Sequence, residues 1–119
     1  EGRLLYMAAP SDNHQRVSAN IFLEIGFYVK NKKLGEVRYA PVDVQLDEKN
    51  IVQPDILFVS IRRASIIEKR IKGAPDFIIE ILSPSNASYD QTIKLDLYGR
   101  FLVKEYWIVH PEEAWNRPC

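Results

Sequence analysis

An α/β fold, a mixed β-sheet with a helix on each side, is what this sequence predicts, and three observations carry the prediction. Val17, Ile21, Phe22, Ile25, Tyr28 and Val29 recur at spacings of three and four, the period of one helix face. From Glu36 the period changes to two, with Val42, Val44 and Leu46 alternating with Asp43 and Gln45, as in a half-buried strand. Further on, two short apolar runs lie on either side of a second helical stretch, so strands and helices are interleaved along the chain.

Taken in order, the run from Leu4 to Ala9, ending at Pro10, reads as a first strand. Ser11-Asp12-Asn13 offers side-chain oxygens to the free amides that open a helix. Gly26 weakens that helix by roughly 1 kcal/mol relative to alanine without ending it. Asn31-Lys32-Lys33-Leu34-Gly35 then supplies cations for the helix end and a stop glycine. Asp47-Glu48-Lys49-Asn50 reads as a turn, and Ile51 to Val59 as a returning strand, which makes a hairpin. Pro54 donates no ladder hydrogen bond, so this second strand is kinked, bulged or unpaired just before Asp55. Residues 62–71 suit a short amphipathic helix or a loop, and Gly73-Ala74-Pro75-Asp76 a turn. Phe77-Ile78-Ile79-Glu80-Ile81-Leu82 suits a strand buried on both faces. Ser83-Pro84-Ser85-Asn86 breaks it, a second helix is expected over 88–102, and Glu105-Tyr106-Trp107-Ile108-Val109 is a last strand stopped by His110-Pro111.

The 119 residues suit a single domain spanning 1–119. Hydrophobic residues at 46% and charged ones at 27% supply a core and exclude wholesale disorder. No run of about 18 apolar residues exists to form a transmembrane helix, so no membrane partner is expected. The opening residues lack a basic segment followed by a long apolar one, as a secretory signal would have. Cys119 is the only cysteine, which excludes a disulfide or thiolate-cluster metal site within one chain and makes the cytoplasm the expected compartment. Sixteen basic and sixteen acidic residues leave no net charge, which argues against strong nonspecific binding to nucleic acid but permits a locally basic cleft. Lys30, Lys32 and Lys33, and Arg62, Arg63, Lys69, Arg70 and Lys72, read as solvated helix ends and loops.

Glu80 is the acid most out of place. Ionised and buried in an apolar strand, it needs a cation or a lysine; the alternative is an edge strand that leaves it in water. Asp55 emerges where Pro54 distorts its strand, either as a functional carboxylate or as a plain strand-end aspartate. Asp90, Lys94 and Tyr98, four apart, share one helix face, either as an ordinary ion pair with a stacked ring or as a face turned toward Glu80. Two carboxylates and a lysine meet the needs of phosphodiester hydrolysis, with a hard cation such as Mg²⁺ held by oxygens and neutralising charge at the phosphate.

Val52-Gln53-Pro54-Asp55-Ile56, then residues 73–85 from Gly73-Ala74-Pro75-Asp76 through Ser83-Pro84-Ser85, then Asp90, Lys94 and Tyr98, then Glu105-Tyr106-Trp107-Ile108-Val109, resemble one family in order and spacing. It is the Uma-type putative restriction endonuclease family of the PD-(D/E)XK nuclease superfamily, and the resemblance runs from about Leu4 to Pro111. It implies a restriction-endonuclease-like fold and an endonuclease that cuts DNA with Mg²⁺ or Mn²⁺. It further implies that Asp55, Glu80 and the Ile81 carbonyl hold the metal. The superfamily lysine would stand two residues after the acid, where this chain has Leu82, so the resemblance points to Lys94 on the following helix. His14 matches a recurring family histidine, near the metal or structural at the helix start, and Glu24 is a further acidic candidate or a solvated residue.

Residues 112–119 do not resemble the family, so a C-terminal truncation of the sheet is expected, with a non-family tail. An exposed edge strand invites pairing with another copy, hence an expected homodimer. The competing expectation is an inactive nuclease fold that serves in nucleic-acid binding or assembly.

Overall fold

The computed structural model describes residues 12–82, 94 and 96–110. The elements are α1 (Asp12–Lys32), β1 (Gly35–Tyr39), β2 (Val44–Gln45), β3 (Ile51–Val52), β4 (Ile56–Ser60), a 3-10 turn (Ile61–Ile66), β5 (Ile71–Lys72), β6 (Phe77–Ile81) and β7 (Glu105–Val109). Between β6 and β7 the backbone is helical at 94 and 96–100, here α2. The expected strand at Leu4–Ala9 and residues 88–93 of the second helix lie outside the described residues.

A four-stranded mixed sheet in the order β1-β4-β6-β7 forms the centre. β4 pairs antiparallel with β1 and β6, and β7 runs parallel to β6. Strand alternation divides its side chains between two faces. Ile56, Ile79 and Ile81 point to one face, where Val17, Ile21, Phe22 and Ile25 of α1 pack on them. Leu57, Val59 and Ile78 point to the other, where they meet Val44, Ile71 and Tyr98. β4 and β6 are thus buried on both sides, which is why they read as almost unbroken apolar runs.

α1 has Asp12 in its first turn and Lys30 and Lys32 in its last, matching the helix dipole. Tyr28 does not join the buried face: it is exposed, with the Lys32 ammonium over its ring at 5.4 Å. Nor is Gly35 the stop. Lys33 takes the left-handed conformation at φ 56°, and the Leu34 amide donates to the Val29 carbonyl at 3.0 Å, closing the helix. Gly35 instead opens β1 where it passes so close to β4 that a Cβ would collide with the Val59 carbonyl.

The expected hairpin exists but is divided between two sheets. β1 ends before Ala40-Pro41, and β2 and β3 pair in a separate three-stranded sheet, β3-β2-β5. Asp47 builds the turn, its Oδ1 accepting from the Lys49 and Asn50 amides at 2.8 Å each. The break at Gln53-Pro54-Asp55 separates β3 from β4, the interruption that Pro54 implies. Residues 62–66 prove to be part of a 3-10 turn, broken at Arg63, and a short bend then leads into β5 at Ile71. β5 runs parallel to β2, the Ile71 amide donating to the Asp43 carbonyl at 3.0 Å. The second face of the central sheet is therefore covered by a small sheet together with α2, where a helix alone was expected. Among the described residues no helix is long and apolar enough to cross a membrane.

Candidate active site

Two strand ends and one helix converge on a pair of carboxylates. Asp55 sits in the gap between β3 and β4, held at both ends: its backbone carbonyl accepts from the Ala40 amide at 3.0 Å, and its Oδ2 accepts from the Ile81 amide at 2.7 Å. The second bond binds it to the last residue of β6, directly after Glu80. The break at Pro54 thus sets Asp55 immediately before β4, where its side chain reaches the end of β6.

Glu80 is only 5% exposed. Strand alternation turns it to the face covered by α2, alongside Ile78. The Lys94 ammonium donates to both of its oxygens at 3.3 Å, and the Tyr98 hydroxyl donates to Oε2 at 2.9 Å. The spacing of four thus brings Lys94 and Tyr98 to one carboxylate from successive turns. Burial raises the Glu80 carboxyl to about 7; Lys94 opposes the shift, and the negative charge of Asp55 adds to it. Burial, and then the Glu80 charge, also raise the Tyr98 hydroxyl, which stays a proton donor.

His14 stands near the start of α1 with Nε2 3.6 Å from Asp55 Oδ2. The structure thus brings together Asp55, Glu80, Ile81, Lys94, Tyr98 and His14. Glu24 is exposed on α1, about 15 Å of helix beyond His14. Asp90 lies outside the described residues. Leu82, where the superfamily pattern would have its lysine, is half-buried, and the Lys94 ammonium meets the acid from α2 instead.

Among the described residues, the groups here able to ligate a cation are oxygens and the His14 imidazole, and two carboxylates are close enough that one raises the pKa of the other. That fits a hard divalent cation. Among the described residues no group of three or more His, Cys, Asp and Glu side chains is arranged to hold a metal. Beside Asp55 and His14 an open cleft of about 770 Å³ runs along α1, lined also by Phe22 and Tyr39. Phe22 lies on the apolar face of α1 that its spacing predicts, but no local spacing links it, or Tyr39 of β1, to Asp55.

The family model described as Uma2, "Putative restriction endonuclease", matches residues 1–116. No curated protein matches the chain. Among solved structures, it is similar to a putative nuclease belonging to DUF820 from Anabaena variabilis ATCC 29413, with a TM-score of 0.75 and 21% identity over 95% of this chain and 65% of that one. The chain spans just under two thirds of that protein's length, and at this identity the likeness is one of fold.

Proposed function

The chain belongs to the Uma2 putative restriction endonuclease family, and on that premise we propose that it is an endonuclease that hydrolyses phosphodiester bonds of DNA with Mg²⁺ or Mn²⁺. The observation that carries this reading is Glu80, a carboxylate 5% exposed, held by a lysine and a tyrosine beside a second carboxylate. A structural ion pair has no need of a second acid at the same point, whereas a metal-dependent nuclease does.

In this reading Asp55, Glu80 and the Ile81 carbonyl would hold the cation through oxygens, the ligand type that Mg²⁺ favours. Bound there, the cation would neutralise charge on the phosphate and make a water more acidic. The rest of the work belongs to the chain. The Ile81 amide fixes one Asp55 oxygen, and Tyr98 fixes one of Glu80, so both carboxylates are oriented before a ligand arrives. Lys94 brings a positive charge to where negative charge develops on the phosphate. His14, beside Asp55, is placed to hydrogen-bond a phosphate oxygen or to carry a proton.

Asp55→Ala, Glu80→Ala and Lys94→Ala should each lower plasmid cleavage by on the order of 100-fold or more while the far-ultraviolet circular dichroism is unchanged. If all three variants cut as the parent does, the assignment is wrong. The zero net charge favours a second reading, a nuclease fold that binds or assembles without cutting. Calorimetry separates the two: the nuclease reading expects Mg²⁺ or Mn²⁺ to bind the parent and not the Asp55 or Glu80 variants.

A further inference from the structure

The described lining of the cleft beside Asp55 is largely apolar and aromatic. Phe22 and Tyr39 form one wall as an edge-to-face pair, ring centroids 4.7 Å apart at 75°. Tyr39 is 60% exposed, so a ring face remains open, and Leu23 and Pro41 extend the apolar surface. Gln15 and Ser18, one helical turn apart on α1, are the uncharged polar groups along the wall. Asp55 and His14 belong both to this cleft and to the carboxylate centre, so the two are continuous. Among the described residues, no lysine or arginine lines it.

We infer that this cleft receives an unstacked nucleobase of a single-stranded or locally opened nucleic acid, next to the phosphate at Asp55 and Glu80, with Tyr39 as its stacking platform. The inference rests on the nuclease reading and names the form of its substrate. A nucleotide is a flat, neutral ring a few bonds from an anion, and here an apolar aromatic wall adjoins a centre suited to phosphate and cation. An intact duplex presents phosphates and groove edges while its base faces stay stacked, and the described lining of the cleft is aromatic and apolar, suited to a base face. Stacking on an aromatic side chain tolerates any base, because every base has a π-face. Gln15 and Ser18 would then address the base edge.

The test measures fluorescence anisotropy of a labelled oligothymidylate with the chain in EDTA, where metal-dependent cutting is silent, beside the same strand made abasic and its duplex. The intact strand should bind about tenfold more tightly than the abasic strand or the duplex. Tyr39→Ala should erase that advantage and leave abasic binding unchanged, whereas Tyr39→Phe should keep it. Equal binding of intact and abasic strands, preference for the duplex, or full affinity in Tyr39→Ala would overturn the inference. Plasmid cutting by the parent in Mg²⁺ is scored separately. Cutting with base-independent binding removes only the cleft's role, and base-dependent binding without cutting supports the cleft while removing the nuclease reading.

Discussion

Glu80 is legible in the sequence as an acid among isoleucines, and its neighbours in the fold explain how it is tolerated. Its carboxyl is raised from 4.5 to about 7, chiefly by burial, so the folded chain favours the neutral form. The stability linked to this group is therefore complete below about 4.5 and is lost as pH rises through about 7; the gap corresponds to roughly 3 kcal/mol as an order of magnitude. Urea unfolding in EDTA should show the parent losing stability between pH 5 and pH 8 relative to Glu80→Gln, which has no proton to lose. Parallel curves for the two proteins would refute that. Tyr98 is 1% exposed and its hydroxyl donates a hydrogen bond to Glu80, so Tyr98→Phe keeps the packing and removes only the restraint. Its expected cost is about 10- to 100-fold in metal affinity or cleavage, with little change in melting temperature. The spacing of Lys94 and Tyr98 was visible along the chain, but a face of a helix does not say what it faces. That depended on Glu80 lying on the sheet surface that α2 covers.

At the scale of elements, the central strands β4 and β6 follow from their apolar runs, and the gap before β4 follows from Pro54. The helix end and the small sheet did not follow, for a shared reason. Lys33 adopts the left-handed conformation that the position of Gly35 assigns to the glycine, because Gly35 answers to its neighbour β4 and not to the helix. β5 is two residues long and takes its hydrogen bonds from β2, a non-local pairing with no signal in its own sequence. Two glycines make the difference measurable. Gly35→Ala places a methyl against the Val59 carbonyl and should destabilise by about 1–3 kcal/mol. Gly99→Ala, in the helical stretch with nothing within 4 Å of the added carbon, should stabilise by about 0.5–1 kcal/mol. Chemical denaturation of both variants checks the pair, and an opposite order would contradict the packing of β1 on β4.

For the molecule as a whole, the carboxylate centre draws on α1, both sides of the β3–β4 gap, β6 and α2, so a ligand bound there ties these elements together. On the proposed function, Mg²⁺ at about 100 times its Kd should stabilise the fold by about 2.7 kcal/mol, read as a rise in melting temperature. The rise should be larger at pH 8 than at pH 5, because the cation binds ionised Glu80, and it should vanish in Asp55→Ala. A rise equal in the parent and in Asp55→Ala would mean that the cation acts elsewhere. The sequence by itself determined the α/β class, the buried strands, the interruption before Asp55 and the family, and it put forward Asp55 and Glu80 as the candidate acids, all of which rest on local periodicity or on residue order. Tertiary structure alone decided that Asp55 is bonded to the Ile81 amide, that Lys94 and Tyr98 share Glu80, and that His14, Phe22 and Tyr39 border the same point. Those contacts join residues far apart in the chain, and their geometry is set by how α1 and α2 pack on opposite faces of one sheet, which no local pattern encodes.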